Sequence, residues 1–245
     1  MGEARFDSEE SFESSPAYAA AVMCRIAEGG NLHAGLLYKL GKEVRVLHLG
    51  WENDLKNTWR WPRLWAAPDL KSQRSFALSA LCTRIWKKFE KDKTMPYGLG
   101  FYQSTFTDTG LRLNGKAVGL SCATFILAVF NKLGLALVEE ETWPVRQEND
   151  NEWYDRLSDE NKAQVPDLKA EIDSRVRRIR PEEVLGACSC DAPAQFTDCE
   201  AHGKRYVEML DKEEAARRVT TAAQAQEAAV EPTTLQSDSA NLDSE

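Results

Sequence analysis

Three side chains of this sequence have the chemistry of a thiol nucleophile, its base and a group that orients the base. They are Cys122, His33 and His48, and the 245 residues contain only one further histidine, His202. In such a triad the thiolate attacks a carbonyl carbon, one imidazole moves the proton, and a third polar group fixes the imidazole ring. The sequence therefore predicts thiol chemistry, provided that the fold brings these side chains together.

The two neighbouring histidines lie on a predicted β-hairpin. Residues 32–38 are apolar and strand-like, a polar glycine turn follows, and residues 44–49 are rich in β-branched and aliphatic side chains. With residues 40–41 at the tip of the turn, His33 is predicted to lie directly opposite His48. Directly opposed residues point to the same face, with Cβ atoms about 4.5–5.5 Å apart. We therefore expect His48 to orient the ring of His33.

The cysteine lies at the start of the most apolar segment of the chain. Residues 118–138 are interrupted at Asn131, Lys132 and Gly134, which predicts a helix of about three turns followed by a short strand, and no membrane span. Unpaired N–H groups at a helix N-terminus act as a partial positive charge and favour a thiolate. We therefore expect Cys122 to be a reactive thiolate on a core helix.

The order of these motifs resembles that of circularly permuted papain-like hydrolases of the NlpC/P60 type. The matching residues are His33, Gly35 and Tyr38 on a first strand, His48 on the next, and Cys122 and Phe125 on the later helix. Lecithin:retinol acyltransferase-like enzymes and YaeF/YiiX-type amidases also place histidine before cysteine. The resemblance covers residues 17–200 and implies an acyl-enzyme mechanism, with the backbone N–H of Cys122 in the oxyanion site.

The sequence also departs from these families in two places. The lecithin:retinol acyltransferase branch has Asn-Cys-Glu-His around its nucleophile, whereas this chain has Ser-Cys-Ala-Thr at residues 121–124, so retinoid or phospholipid acyl transfer is not implied. No glutamine closely precedes Cys122 to act as the papain-type oxyanion donor. The predicted function is a cysteine-dependent hydrolase or acyltransferase for amide or ester bonds, with a peptide or acyl-amide substrate and no cofactor.

Two interpretations compete with this one. Histidines on apolar strands and buried cysteines are common structural residues, so a catalytically silent papain-like binding domain is the first. The second is a zinc-stabilised interaction protein with four soft ligands: Cys188, Cys190, Cys199 and His202. The Cys-x-Cys pair is closer than usual zinc ligands, so we expect these cysteines to be unligated, in a loop at the end of the domain.

Composition and charge limit the class of protein. A chain of 245 residues with 42% hydrophobic content buries one main core. The net charge of −8 argues against nucleic acid as a partner, and the basic residues 175–180 are predicted to form a solvated helix face. The acidic N-terminus lacks the basic flank and apolar run of a secretory signal. We therefore expect a cytoplasmic protein with reduced cysteines.

The chain is predicted to have three regions. Residues 1–15 are expected to be a disordered tail, residues 16–210 a permuted papain-like domain, and residues 211–245 a helical to disordered acidic tail. The domain is expected to be α+β, with a small antiparallel sheet that carries both histidines and packs on the Cys122 helix. A first helix is predicted at residues 16–28, and another at residues 70–89.

Three further segments are predicted to surround the site. The loop-rich residues 96–119 are expected to bring substrate-binding groups to Cys122, and the charged residues 139–180 to form a helical lid or insertion. Four tryptophans follow the hairpin: Trp51, Trp59, Trp61 and Trp65. They are expected to cover the edge of the core, with the alternative that one or two of them line a substrate groove beside His48.

Overall fold

The computed structural model describes residues 4–6, 12–25, 31–59, 64–107, 113–114 and 118–230. Six of the described strands form one antiparallel sheet, in the order β1-β6-β2-β3-β4-β5. They are β1 Arg5–Phe6, β2 Ala19–Arg25, β3 Leu32–Leu40, β4 Glu43–Leu49, β5 Leu55–Trp59 and β6 Leu64–Ala66. Two short strands, β7 Thr105–Phe106 and β8 Leu113–Asn114, pair separately.

Helices follow the sheet in the chain. They are α1 Ser72–Asp92, α2 Cys122–Lys132, α3 Gln147–Asp155, α4 Asp159–Gln164, α5 Leu168–Asp173, α6 Pro181–Ala187 and α7 Phe196–Val230, with a 3-10 helix at Glu140–Thr142. The predicted α+β class is confirmed. None of the described helices combines the length and the apolar character that crossing a membrane requires.

The segment predicted as a first helix forms the central strand β2 instead. β2 pairs with β6 on one side and β3 on the other, and each of its residues from Ala19 to Cys24 is buried. A strand covered on both faces is a continuous apolar run, and such a run has no period that distinguishes it from a buried helix. The prediction of a helix at residues 16–28 was therefore wrong.

The histidine hairpin forms with a register that differs from the prediction by two residues. Leu40 pairs with Glu43 and Leu36 with Leu47, so the turn lies at residues 41–42, and Gly41 has a φ of +63°. Two-residue hairpin turns require positive φ, and glycine adopts it without steric cost. Because the difference is an even number of residues, both histidines remain on the predicted common face.

Helix α2 begins where the sequence predicts it. The hydroxyl of Ser121 accepts a hydrogen bond from the Thr124 amide, and the Thr124 hydroxyl accepts one from the Ser121 amide. This reciprocal capping box fixes the first turn of the helix. α2 packs on β3, β4, α1 and α6. The short strand predicted after it is absent from the described residues 135–138, where Val138 makes only an isolated bridge to Ala194.

The charged insertion is helical, as predicted, and packs on the loop that precedes α2. Leu99 and Val176 belong to one buried cluster that joins the loop to α5. The carboxylate of Glu171 accepts hydrogen bonds from the amides of Leu99, at 2.7 Å, and Gly100, at 3.3 Å. These contacts anchor the insertion to the loop beside the predicted nucleophile.

The described residues of the N-terminal segment, which was expected to be a disordered tail, contact the sheet. Arg5–Phe6 pair with β6, and Phe12 is fully buried with its ring 5.3 Å from that of Trp65. Two phenylalanines supply enough apolar surface to hold this segment against the sheet.

At the other end the chain divides into two compact units, Met1–Glu208 and Met209–Glu245. The described part of the second unit is helical to Val230, with a 2.8 Å ion pair between Arg217 and Glu213. Residues 231–245, which were predicted to be disordered, lie outside the described residues.

Candidate functional site

The two hairpin histidines are hydrogen-bonded to each other. Nε2 of His33 lies 2.9 Å from Nδ1 of His48, and the ring planes are nearly perpendicular at 82°. The side chains are buried, with 8% and 7% of their surface exposed. One ring donates its N–H and the other accepts, so each imidazole fixes the tautomer and orientation of its neighbour.

A glycine makes room for this pair. The register of β3 and β4 places Gly35 opposite His48, so the histidine rings meet along a diagonal of the sheet. A Cβ atom at Gly35 would lie 2.8 Å from Val46 Cγ1 and 3.0 Å from the Cβ of His48. The absence of a side chain at Gly35 therefore allows β4 to approach closely at Val46 and His48.

The cysteine thiol lies beside the same strand. The backbone amides of Ala34 and Ala123 lie close enough to the thiol of Cys122 to lower its pKa. Ala34 directly follows His33 on β3, and Ala123 lies in the first turn of α2. These two contacts place the half-buried thiol at the junction of β3 and α2.

All three predicted site residues line one cavity of about 470 Å³. Other residues in its wall are Trp51, Tyr97, Trp153 and Arg178. The structure thus brings together the side chains of Cys122, His33 and His48 around a space large enough for a small peptide or acyl-amide group.

Burial keeps both histidines neutral at physiological pH. It lowers the pKa of His33 to about 4, with a further lowering by the charge of Lys56 and a small opposing effect of Asp54. It lowers the pKa of His48 to about 3, assisted by His33 and Lys56. Neutral imidazoles are the protonation state in which a histidine accepts a proton from a thiol.

The pKa of the Cys122 thiol differs in direction from the sequence-based expectation. Burial raises it above its usual value. The amide of Ala34, the positive charge of Arg178 and the amide of Ala123 lower the pKa, but they do not offset burial. The helix N-terminus lowers the pKa of Cys122 and burial raises it, and the effect of burial is the larger. The resting site therefore contains a neutral thiol beside neutral imidazoles.

The four candidate zinc ligands, all of which the structure describes, make other contacts. Cys188 and Cys199 are buried, the Cys190 thiol donates to the carbonyl of Gly186 at 3.3 Å, and Nδ1 of His202 lies 3.5 Å from the Tyr206 hydroxyl. Burial raises the pKa of Cys188 to about 12. Among the described residues, which include all four candidates, no group of three His, Cys, Asp or Glu side chains is arranged to hold a metal ion.

Sequence reasoning missed Arg178 as a cavity residue. The run 175–180 was expected to form a solvated helix face, but it is not helical, and Arg178 forms an isolated bridge to Gly100. Its side chain is 12% exposed, and the guanidinium carbon lies 3.6 Å from the centre of the Trp153 ring. The buried Val176 and Ile179 within the run are the signal in the sequence that this segment is not a solvated face.

The loop before α2 contributes Tyr97 to the site, as its expected role in substrate binding suggests. Tyr97 is 9% exposed, and its ring packs 5.0 Å from that of Trp51. Both side chains line the cavity together with His48, so Trp51 has the position that the alternative prediction gave to one or two of the four tryptophans. Trp65 is buried in the core, as the first interpretation predicts. Trp61 and the side chain of Trp59 lie outside the described residues.

Comparison with known proteins gives no match, because no family model, no curated protein and no solved structure is significantly similar to this chain. The functional assignment therefore rests on the geometry and chemistry of the cavity.

Proposed function

We propose that this protein is a cysteine-dependent hydrolase, or acyltransferase, that acts on an amide or ester carbonyl. The observation that carries the proposal is the 2.9 Å contact between the His33 and His48 rings in the cavity that Cys122 also lines. Nucleophile, base and orienting group are the three parts that acyl transfer through a thiol requires.

The first step is attack by Cys122 with His33 as the base. Nε2 of His33 contacts His48, and we assign the other ring nitrogen, Nδ1, as the atom that takes the thiol proton. Because the thiol pKa is raised and the imidazole pKa is lowered, the proton moves as the S–C bond forms, rather than in a prior ionisation. His48 is a positioning residue, which holds the His33 ring while the proton is transferred.

The second half of the reaction returns the proton. The His33 imidazolium donates to the departing amine or alkoxide as the carbonyl C–N or C–O bond breaks, leaving an acyl group on Cys122. Water, or another acceptor, then adds to the acyl carbonyl and gives its proton to His33. The C–S bond breaks and the thiol is protonated again, which restores the starting state.

We propose two donors for the oxyanion. The backbone N–H of Cys122 is in the first turn of α2, where amides have no partner four residues earlier. Tyr97 supplies a side-chain hydroxyl in the same cavity, where the papain-type glutamine is missing. Burial raises the pKa of Tyr97, so the phenol remains a hydrogen-bond donor.

The order of the elements supports a permuted papain-like arrangement. The strands that carry the histidines precede the helix that carries the cysteine, and helix and strands pack together. We further propose a cytoplasmic location and a peptide or acyl-amide substrate. All six cysteines are free thiols, which agrees with a reducing compartment.

A catalytically silent binding domain is the second candidate. The observation in its favour is that burial raises the pKa of Cys122 and lowers that of both histidines, which keeps the site uncharged. Such a domain would keep the cavity but have no acyl-transfer chemistry.

An acylating active-site probe separates the two candidates. Labelling of Cys122 and turnover should be lost in Cys122→Ala, with the melting temperature within a few degrees of wild type. The matched control is Cys82→Ala, which removes a fully buried thiol of α1 and should lose stability but retain labelling. Full activity in Cys122→Ala would exclude the cysteine-hydrolase function, and an intact protein that is never acylated would favour the binding domain.

A further inference from the structure

A second cavity of about 380 Å³ adjoins the first, and Arg178 lies in the walls of both. The two cavities share Asn31, Leu32, Trp153, Arg178 and Pro181. A substrate that reaches Cys122 along this shared wall therefore passes the Arg178 guanidinium.

The guanidinium of Arg178 is held in place but has few hydrogen-bond acceptors. It stacks on Trp153 at 3.6 Å and donates once to Asp150, over a long 3.3 Å. A guanidinium carries five N–H donors. The Arg178 side chain makes this one hydrogen bond to a described residue. Most of its donors are therefore left for a ligand in the cavity.

The charged side chains in the wall of the Cys122 cavity do not cancel. Asp150 is shared with Arg180, whose guanidinium lies 3.4 Å from the same carboxylate oxygen. The other charged pair of the Cys122 cavity, Asp54 and Lys56, is internally neutral at 2.9 Å. Arg178 is thus the remaining charged side chain in the wall of the Cys122 cavity, which gives this wall one net positive charge in a chain whose net charge is −8. The carboxylates of Glu152 and Glu182 lie in the wall of the neighbouring cavity, together with Arg156 and Arg180.

We propose that Arg178 binds a carboxylate of the substrate beside Cys122. The substrate class is then an amide or ester that carries a carboxylate near the scissile carbonyl. A planar guanidinium fixed by stacking forms two parallel hydrogen bonds to a carboxylate, which gives both affinity and orientation. This inference rests on the proposed role of Cys122 as the nucleophile.

Two alkylating reagents of nearly equal size test the proposal. Iodoacetate and iodoacetamide both form a C–S bond with Cys122 and release iodide, but only iodoacetate carries a carboxylate. The rate ratio of the two reagents in the unfolded protein is the reference. In the folded protein the iodoacetate to iodoacetamide ratio should exceed this reference about tenfold, which corresponds to about 1.4 kcal/mol.

Substitution of the arginine should remove the preference. Arg178→Gln should return the ratio to the reference, and Arg178→Lys should retain part of the preference because it keeps the charge without the planar fork. The ratio is informative because Arg178 also lowers the pKa of Cys122. A loss of thiol reactivity slows both reagents and cancels in the ratio.

Arg180→Gln is the matched control. Arg180 binds the same Asp150 carboxylate but lines only the neighbouring cavity, so this variant should retain most of the wild-type ratio. An equal loss of the preference in both variants would assign it to the general charge of the region and overturn the role of Arg178.

The side of the scissile bond that carries the carboxylate follows from two pairs of substrates. Mono-4-nitrophenyl succinate against 4-nitrophenyl butyrate tests the acyl side, and an acetylated peptide against its C-terminal amide tests the leaving-group side. We expect one carboxylated member to be favoured, and the preference to be lost in Arg178→Gln. The carboxylate site is overturned, with the proposed function left intact, if the alkylation ratio equals the reference and neither carboxylated substrate is preferred. If neither reagent labels Cys122, the proposed function itself fails.

Discussion

Nε2 of His33 reaches Nδ1 of His48 at 2.9 Å although the residues are diagonal neighbours on the sheet. In the proposed reaction this contact gives the two histidines different roles, because His33 is the base and His48 holds the His33 ring.

The first prediction separates these roles. His33→Ala should remove nearly all turnover, because the proton acceptor is lost. His48→Asn and His48→Gln should retain a measurable fraction, because either amide is able to hydrogen-bond the His33 ring, and His48→Ala should be intermediate. The measurement is kcat/KM across a pH series, since rescue by an amide is not expected from a packing role alone. Wild-type kinetics in His48→Ala would make His48 a structural residue.

The reactivity of the thiol should increase at alkaline pH. Because burial raises the pKa of Cys122, its alkylation by iodoacetamide should continue to accelerate above the unperturbed thiol pKa of about 8.5. Arg178→Gln should move the midpoint to higher pH, since the positive charge of Arg178 lowers this pKa. Rates determined at a series of pH values, with the labelled residue identified by mass spectrometry, test this. A plateau reached by neutral pH would instead show the thiolate that the helix N-terminus alone predicts.

Acid should destabilise the fold through the same histidines. Their pKa values in the folded protein are about 4 and about 3, below the unfolded value of about 6.5. As pH falls below 6.5 the unfolded chain gains protons that the folded chain excludes, so the free energy of unfolding decreases. For His33 the loss amounts to about 3 kcal/mol once the pH reaches 4. Urea unfolding at several pH values measures this decrease in the free energy of unfolding.

A double variant identifies the groups responsible for this pH dependence. His33→Gln combined with His48→Gln should weaken the dependence between pH 6.5 and 4. His202→Gln, which lies outside the cavity, should leave it as in wild type. An unchanged slope in the double variant would assign the acid sensitivity to other groups.

Gly35 should be intolerant of a side chain. In Gly35→Ala the new methyl group meets Val46 and the backbone of β4 beside His48. We therefore expect the free energy of unfolding to fall by about 1–3 kcal/mol, and turnover of the folded protein to fall as well. Gly41→Asn is the control in the same hairpin, because asparagine tolerates positive φ and the space around Gly41 is open. Melting temperatures and turnover of both variants test this. Wild-type turnover in Gly35→Ala would show that the ring contact does not depend on the glycine.

The sequence predicts those parts of the site that local patterns determine. The apolar segment predicts a helix that begins near Cys122, and the position of the hairpin turn places both histidines on one face. Arg178 was missed because its burial depends on Trp153 and Asp150, which belong to another segment of the chain. The predicted direction of the Cys122 pKa shift was wrong for the same reason. Desolvation of the thiol arises from tertiary packing and not from its position on a helix.

Tyr97 should contribute to acyl transfer but not to alkylation. Tyr97→Phe keeps the ring against Trp51 and removes only the hydroxyl, so the cavity should remain folded. Loss of an oxyanion donor lowers kcat by roughly 10²–10³-fold. Alkylation by iodoacetamide passes through no oxyanion, so its rate at Cys122 should be unchanged. Equal losses in turnover and alkylation would show that the hydroxyl affects the reactivity of the thiol instead. Unchanged turnover would exclude Tyr97 as a donor and leave the Cys122 amide as the remaining proposed donor to the oxyanion.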